Sequence, residues 1–271
     1  MRHPGLAQGG EMGDMKSIFG GFITAFALYS IIPMPRVRWD RDSLRYALCF
    51  FPLVGAVIGG VQIGWFWAAA ALGAAPGLYA AVAALLPVFV SGGIHVDGMV
   101  DTADALFSRA SAEKKLEILK DPHTGAFGVM YCAGYLLLSF GLWQQIYAAP
   151  GLLALAAAGT VLSRSCSALS ITALPAARES GLARVFADGA ARGPVTVCNL
   201  LVLVAVFTVN ILFAPLWGVL GLLLCAAVAC MHRVLCLRQF GGNTGDLSGW
   251  FSQHIELCVL AVAAVGGLLS A

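Results

Sequence analysis

Of the chain's 271 residues, 59% are AVILMFWYC and only 11% DEKR. Roughly 25% charged residues is usual for soluble proteins, so the composition excludes an ordinary soluble domain, and its apolar content excludes a disordered chain. Sixteen Lys and Arg against 14 Asp and Glu leave a net charge of +2, without the basic excess that a nucleic-acid partner requires.

The expected fold class is therefore all-α: a polytopic integral membrane helical bundle in contact with the lipid bilayer. Residues 1–16, rich in Gly and polar groups, read as a flexible N-terminal tail, and 17–271 as a single membrane-embedded domain. A helix needs about 20 mainly apolar residues to cross the bilayer core. Eight segments qualify, approximately 17–33, 46–72, 78–94, 125–147, 152–173, 194–213, 215–237 and 254–270, so seven to eight transmembrane helices are expected. If segment 17–33 spans, both termini are outside; if it is re-entrant or interfacial, the N-terminus is inside. No Ala-x-Ala-like site follows it, which argues against a cleaved leader.

The connections alternate between two kinds. Those around Gly73–Gly77, Ala148–Gly151 and Phe213–Pro215 carry no charge, and the first two share Ala-Ala-Pro-Gly. The others hold Arg36, Arg38, Arg41 and Arg45, then Arg109, Lys114, Lys115 and Lys120, then Arg178, Arg184 and Arg192, then Arg238. By the positive-inside rule the second kind, with the active-site loops, is cytoplasmic. Six of the eight cysteines lie within apolar runs and none forms C-x-x-C, so reduced thiols acting as small hydrophobes are expected.

Six of the 14 acidic residues fall within 25 positions. Asp97, Asp101 and Asp104 are spaced i, i+4, i+7, so on a helix their carboxylates share one face, where they repel unless a cation joins them. Hard oxygen ligands of this kind suit Mg²⁺ or Mn²⁺. Glu113 and Glu117, interleaved with Lys114 and Lys115 behind the N-cap Ser111, read as a solvated, salt-bridged helix face. Lys120 and Asp121 precede Pro122, where a helix must stop, and so return a cation and a carboxylate to the membrane surface. His95 is a ligand, a base or a hydrogen-bonded interfacial residue. Arg164, mid-span and flanked by serines, must face a carboxylate, a phosphate or a watery cavity. Arg233, Arg238 and the turn Gly241–Asp246, with Asn243 and Asp246, form a candidate phosphate cradle on the same side. No G-x-S-x-G elbow, paired Cys/His signature or P-loop is present.

Five ordered motifs span about 215 residues: Ile32-Pro33-Met34-Pro35, Phe51-Pro52-Leu53-Val54-Gly55, His95-x-Asp97-Gly98-x-x-Asp101-Thr102-x-Asp104, Lys120-Asp121-x-x-x-Gly125-Ala126-Phe127-Gly128 and Gly242-Asn243-Thr244-Gly245-Asp246. In these the chain resembles the cobalamin synthase family, the adenosylcobinamide-GDP ribazoletransferases of bacterial membranes. The resemblance implies an enzyme of the cytoplasmic (inner) membrane that performs the final stage of cobamide (vitamin B12) biosynthesis. In that step α-ribazole or its 5′-phosphate displaces GMP from adenosylcobinamide-GDP with the help of a divalent metal. Asp97, Asp101 and Asp104 are the expected metal ligands; one of them, or Asp121, takes the hydroxyl proton, with Lys120 and His95 completing the catalytic set. Arg164, Arg233, Arg238, Asn243 and Asp246 are the expected substrate contacts. A homo-oligomer is compatible with the sequence.

The aspartate-rich motif is also similar to that of CDP-alcohol phosphotransferases. The Ala-Arg after their first Asp-Gly and their downstream Gly-x-x-x-Asp-x-x-x-Asp are missing here, so that kinship is an analogy of mechanism. A transporter is the remaining class. It should show repeat symmetry and acids at the midplane of several spans, whereas here the acids concentrate in one surface segment.

Overall fold

The computed structural model describes residues 7–36 and 41–270. Residues 1–6 of the expected tail and Arg38 of the first charged loop lie outside the described residues. Twelve α-helices follow one another among the described residues: α1 (Ala7–Tyr29), α2 (Arg41–Leu44), α3 (Ala47–Ala71), α4 (Pro76–Val90), α5 (Ile94–Phe107), α6 (Ala112–Ile118), α7 (Ala126–Ala148), α8 (Leu153–Ala173), α9 (Leu182–Gly189), α10 (Arg192–Phe213), α11 (Pro215–Gln239) and α12 (Gly245–Ser270). Among the same residues the only β pairing is an isolated parallel bridge between Ala176 and Asn243. The chain is a multi-pass helical bundle, as its composition implies.

Six helices, α3, α7, α8, α10, α11 and α12, are long and apolar enough to cross a membrane. The predicted span 78–94 is instead a broken pair: α4 and α5 meet at 92°. The break falls at Gly92 and Gly93, whose φ values of +67° and +80° suit residues without a Cβ. The helix carrying Asp97 is thereby turned across the end of the bundle.

The predicted span 17–33 also differs. Its helix starts at Ala7 and ends at Tyr29, and the apolar part, Lys16–Tyr29, is too short to be counted a span. Gly20 and Gly21 abut Ser43 and Tyr46, Tyr29 meets Phe51 and His95, and the Ile31 N–H donates to the Val90 carbonyl. All these partners belong to the charge-bearing end, so α1 lies over that end, matching the interfacial alternative. Six helices among the described residues are able to cross, and seven when the bent α4–α5 pair is counted as one broken span.

Two apolar helices carry proline in their interior, and each gap is closed by a distant amide. Pro52 in α3 leaves the Leu48 carbonyl without its helical donor, and Asn199 of α10 donates to it at 3.0 Å. Pro87 in α4 frees the Ala83 carbonyl, which receives the Gln62 amide at 3.4 Å. In hydrocarbon no water can do this work.

At the centre are α8 and α12, 67% and 61% buried over their apolar windows against 17% for α10. Between them lies the main core, with Leu162, Phe251, Ile255, Val259 and Ala263. A second core joins α1, α2, α3 and α9 around Phe51, Phe26 and Phe186 under the charged end. All eight cysteines are free, as expected, but of the six in apolar runs, for which burial is also expected, only Cys225 is buried; Cys132, Cys166, Cys198 and Cys258 are half-buried and Cys230 is exposed.

Candidate functional site at the charged end

The aspartate-rich segment forms α5, so Asp97, Asp101 and Asp104 do share a helix, but they do not share a destination. The α5 and α12 helices cross with their backbones almost touching: a Cβ on Gly98 would lie 2.8 Å from the Asp246 Cα, and one on Gly249 would lie 2.8 Å from the His95 carbonyl oxygen. Only glycine permits this approach. It sets Asp246 beside Asp97 and Asp101, and Asp101 lies in the combined negative field of Asp97, Asp246 and Asp104.

Asp104 turns away from that group. Its two carboxylate oxygens accept the N–H groups of Gly125 at 2.7 Å and Gly128 at 2.8 Å, closing the first turn of α7 with a favourable charge at a helix N-terminus. In this arrangement it anchors a helix, a role that the expectation of a metal ligand did not include. Among the described residues no three His, Cys, Asp or Glu side chains are grouped closely enough to hold a metal ion between them.

The Gly-rich turn is held by backbone pairing. The Asn243 N–H donates to the Pro175 carbonyl at 2.7 Å, and the Ala177 N–H donates to the Asn243 carbonyl at 2.9 Å, tying the start of α12 to the chain leaving α8. Thr244 caps α12 by accepting the Leu247 N–H. This pairing brings Arg178 to 3.6 Å from Asp246. Arg178 is the cation of the site, and in the sequence it is indistinguishable from its topological neighbours Arg184 and Arg192. The expected substrate contact Asn243 is instead buried, its amide donating to Ser170 and Ser248.

The other expected residues are placed as follows. Arg164 is fully buried and ion-pairs with Glu256, with Ser163 also bonded to that guanidinium. It therefore has no surface to offer a phosphate, and Glu256, absent from the expected set, is its answer: the lone acid of the last apolar run faces the lone arginine at the middle of a span. Arg233 is exposed beside an apolar groove of α8, α10 and α11, and Arg238 is exposed in the last turn of α11. Neither lines a void that reaches Asp97 or Asp246. Lys120 and Asp121 are exposed, and Asp121 binds both the N–H and the ring of His123. These bonds hold the Asp121 carboxyl below the usual carboxylate range. Lys115, expected on a solvated face, is buried with its ammonium on Gln239, whereas Lys114 and Glu117 do pair in solvent at 2.8 Å.

Three voids meet at the carboxylates. A cavity of about 230 Å³ is walled by Tyr29, Phe51, Phe186 and His95, with Asp97 and Asp246 at its edge. A smaller one of about 130 Å³ lies on the other side of Asp246 and presents Arg178 and Arg184. An open groove of about 800 Å³, mostly apolar, runs between α4, α5 and α7 and also reaches Asp97. His95 is 5% exposed, packed against the Tyr29 and Phe51 rings, and its Nε2 has no partner. Carboxylates, a guanidinium and three compartments are an arrangement suited to transfer between two substrates.

No solved structure matches the chain. Among curated proteins it is 39% identical over 246 residues to an adenosylcobinamide-GDP ribazoletransferase of Lachnoclostridium phytofermentans, covering 90% of this chain and 94% of that one. It is 36% identical to the enzyme of that name from Chlorobaculum parvum, over 94% and 99% of the two chains, and 31% identical to one from Clostridium botulinum, over 95% and 98%. The profile of the cobalamin-5-phosphate synthase family matches residues 21–264. Motif residues Phe51, His95, Asp97 and Asp246 meet at the charged end, and the chain belongs to the cobalamin-5-phosphate synthase family.

Proposed function

We propose that the protein joins α-ribazole or its 5′-phosphate to adenosylcobinamide-GDP with release of GMP, at the cytoplasmic face of a bacterial inner membrane. The observation that carries this reading is the meeting of two motifs distant in sequence: Asp97 and Asp101 on α5 stand beside Asp246 at the start of α12, with Arg178 against them.

A ribose hydroxyl of the acceptor attacks the corrinoid-side phosphorus; the new P–O bond forms as the anhydride P–O bond breaks, and the bridging oxygen leaves with GMP. Asp97 borders both the aromatic cavity and the lateral groove, so it is the carboxylate suited to take the hydroxyl proton. Arg178 and Arg184 offer charge to the departing phosphate.

The donor set fits a hard divalent cation, since three carboxylates crowd against one guanidinium and Mg²⁺ is usually held by only one or two carboxylates together with substrate phosphates. Asp101 and Asp246, both in the field of Arg178, would hold Mg²⁺ or Mn²⁺ together with substrate phosphates, with Asp246 in the place expected of Asp104 and Asp97 left free as the base. When bound, such an ion neutralises charge developing on the phosphoryl oxygens.

The test is product identity. Purified protein is incubated with adenosylcobinamide-GDP and α-ribazole 5′-phosphate, and separately with a CDP-alcohol and its acceptor, each with Mg²⁺ and with excess EDTA. GMP formed only with both substrates and metal supports the proposal; CMP from the cytidine donor, or turnover undiminished in EDTA, overturns it.

A further inference from the structure

We infer that the cavity walled by Tyr29, Phe51 and Phe186 is the binding slot for the planar heteroaromatic base of the acceptor, so that Asp97 and Asp246 stand between acceptor and donor. The assignment rests on the transfer reaction proposed above and adds which compartment takes which partner.

The lining carries the first argument. Tyr29 and Phe51 have ring centroids 4.1 Å apart, and Tyr29 stacks with His95 at 5.9 Å and with Phe186 at 6.3 Å, so the wall is a close-packed aromatic cluster, an environment that favours a further flat ring at its edge. Among the described residues no lysine or arginine lines it, while Asp97 and Asp246 flank it. The lining itself presents no cationic side chain to a diphosphate. The opposite holds across Asp246, where the smaller cavity presents Arg178 and Arg184.

Size carries the second argument. At about 230 Å³ the cavity is below the roughly 300–1,000 Å³ typical of pockets for drug-sized ligands, so it takes one small ring system and excludes a macrocycle. The lateral groove of about 800 Å³ is the compartment that can take a bulky donor. The polar atom of the lining left without a partner among the described residues is Nε2 of His95. A nitrogen heterocycle with a free ring nitrogen answers that need; a plain hydrocarbon does not.

The slot is contributed by α1, α3, α5, α8, α9 and α12, so it can be narrowed from two sides. Ile171→Phe fills it from α8 and Phe186→Trp fills it from α9, outside the spans. For full-length protein in detergent, each variant that elutes as a single species is expected to show an acceptor KM raised about tenfold or more, with the KM for adenosylcobinamide-GDP within twofold of wild type. An acceptor KM within twofold of wild type in the folded variants, or an equal rise in the donor KM, overturns the assignment.

Equilibrium binding of α-ribazole 5′-phosphate, with no donor present, separates the two claims. Binding by wild type that weakens at least fivefold in either variant supports the slot even if no GMP is made, in which case only the proposed reaction has failed. Absence of binding to a wild-type protein that does release GMP sinks the slot alone.

Discussion

Asp97 and Asp104 are chemically the same residue on the same helix, yet their surroundings assign them different work. Asp97 is exposed at the junction of two voids, so Asp97→Asn removes charge without stranding a partner. We expect turnover to fall by about 100-fold or more, on the scale of losing a preorganised electrostatic contact, with an unchanged melting temperature. Asp104 is 9% exposed and holds two amides of α7. Asp104→Asn keeps one acceptor oxygen and turns an NH₂ group toward the other amide, so a loss of about 1–3 kcal/mol is expected, visible as a lower thermal midpoint in detergent. Equal melting temperatures for the two variants would contradict this division. The Arg164–Glu256 pair allows a sharper test, because breaking one side of a buried pair leaves an uncompensated charge, at about 3–5 kcal/mol, while replacing both sides with apolar residues is often neutral. Arg164→Met and Glu256→Leu should each reduce folded yield severely, and the double variant should recover most of it.

At the level of the element, helix termini and helix gaps carry the specificity. The Leu48 carbonyl in α3 is served by Asn199 only because Pro52 cannot serve it. Asn199→Leu should therefore destabilise the protein by about 1–3 kcal/mol, whereas in a Pro52→Ala background, where the new alanine supplies the helical N–H, the same change should cost little. A penalty of the same size in both backgrounds would show that Asn199 acts elsewhere. The close crossing of α5 and α12 has a similar logic. Gly98→Ala puts a methyl within 2.8 Å of the Asp246 Cα and must push the helices apart, so activity should fall even though every charged residue is retained.

Across the whole molecule, counting the bent α4–α5 pair as one span gives seven crossings, which with α1 over the charged end predicts termini on opposite sides. A reporter fused to the N-terminus should read as cytoplasmic and one fused after Ala271 as external. In a background without native cysteines, a cysteine at Ser111 should resist an impermeant reagent applied from outside, while one at the exposed Ala148 should react. External labelling at position 111 would invert the assignment. Much of this was legible in advance: the apolar runs mark α3, α7, α8, α10, α11 and α12, because the bilayer demands long hydrogen-bonded helices of any chain that enters it. The broken span was not, because hydropathy averages over residues 78–94 and is blind to a bend that depends on two consecutive left-handed glycines.

The sequence by itself determined the class of the protein, the segregation of charge to one end and the family to which it belongs, since these depend on composition, periodicity and the order of motifs. It also named Asp97, Asp101 and Asp246. Only the tertiary structure decided which acids stand together, because spacing along one helix says which face a carboxylate occupies and nothing about what the neighbouring helix brings to it. An α7 terminus claimed Asp104, Glu256 claimed Arg164, and the pairing of residues 175–177 with Asn243 delivered Arg178 to Asp246. Each of these contacts joins residues from different elements, and their energies depend on distances that no local pattern encodes.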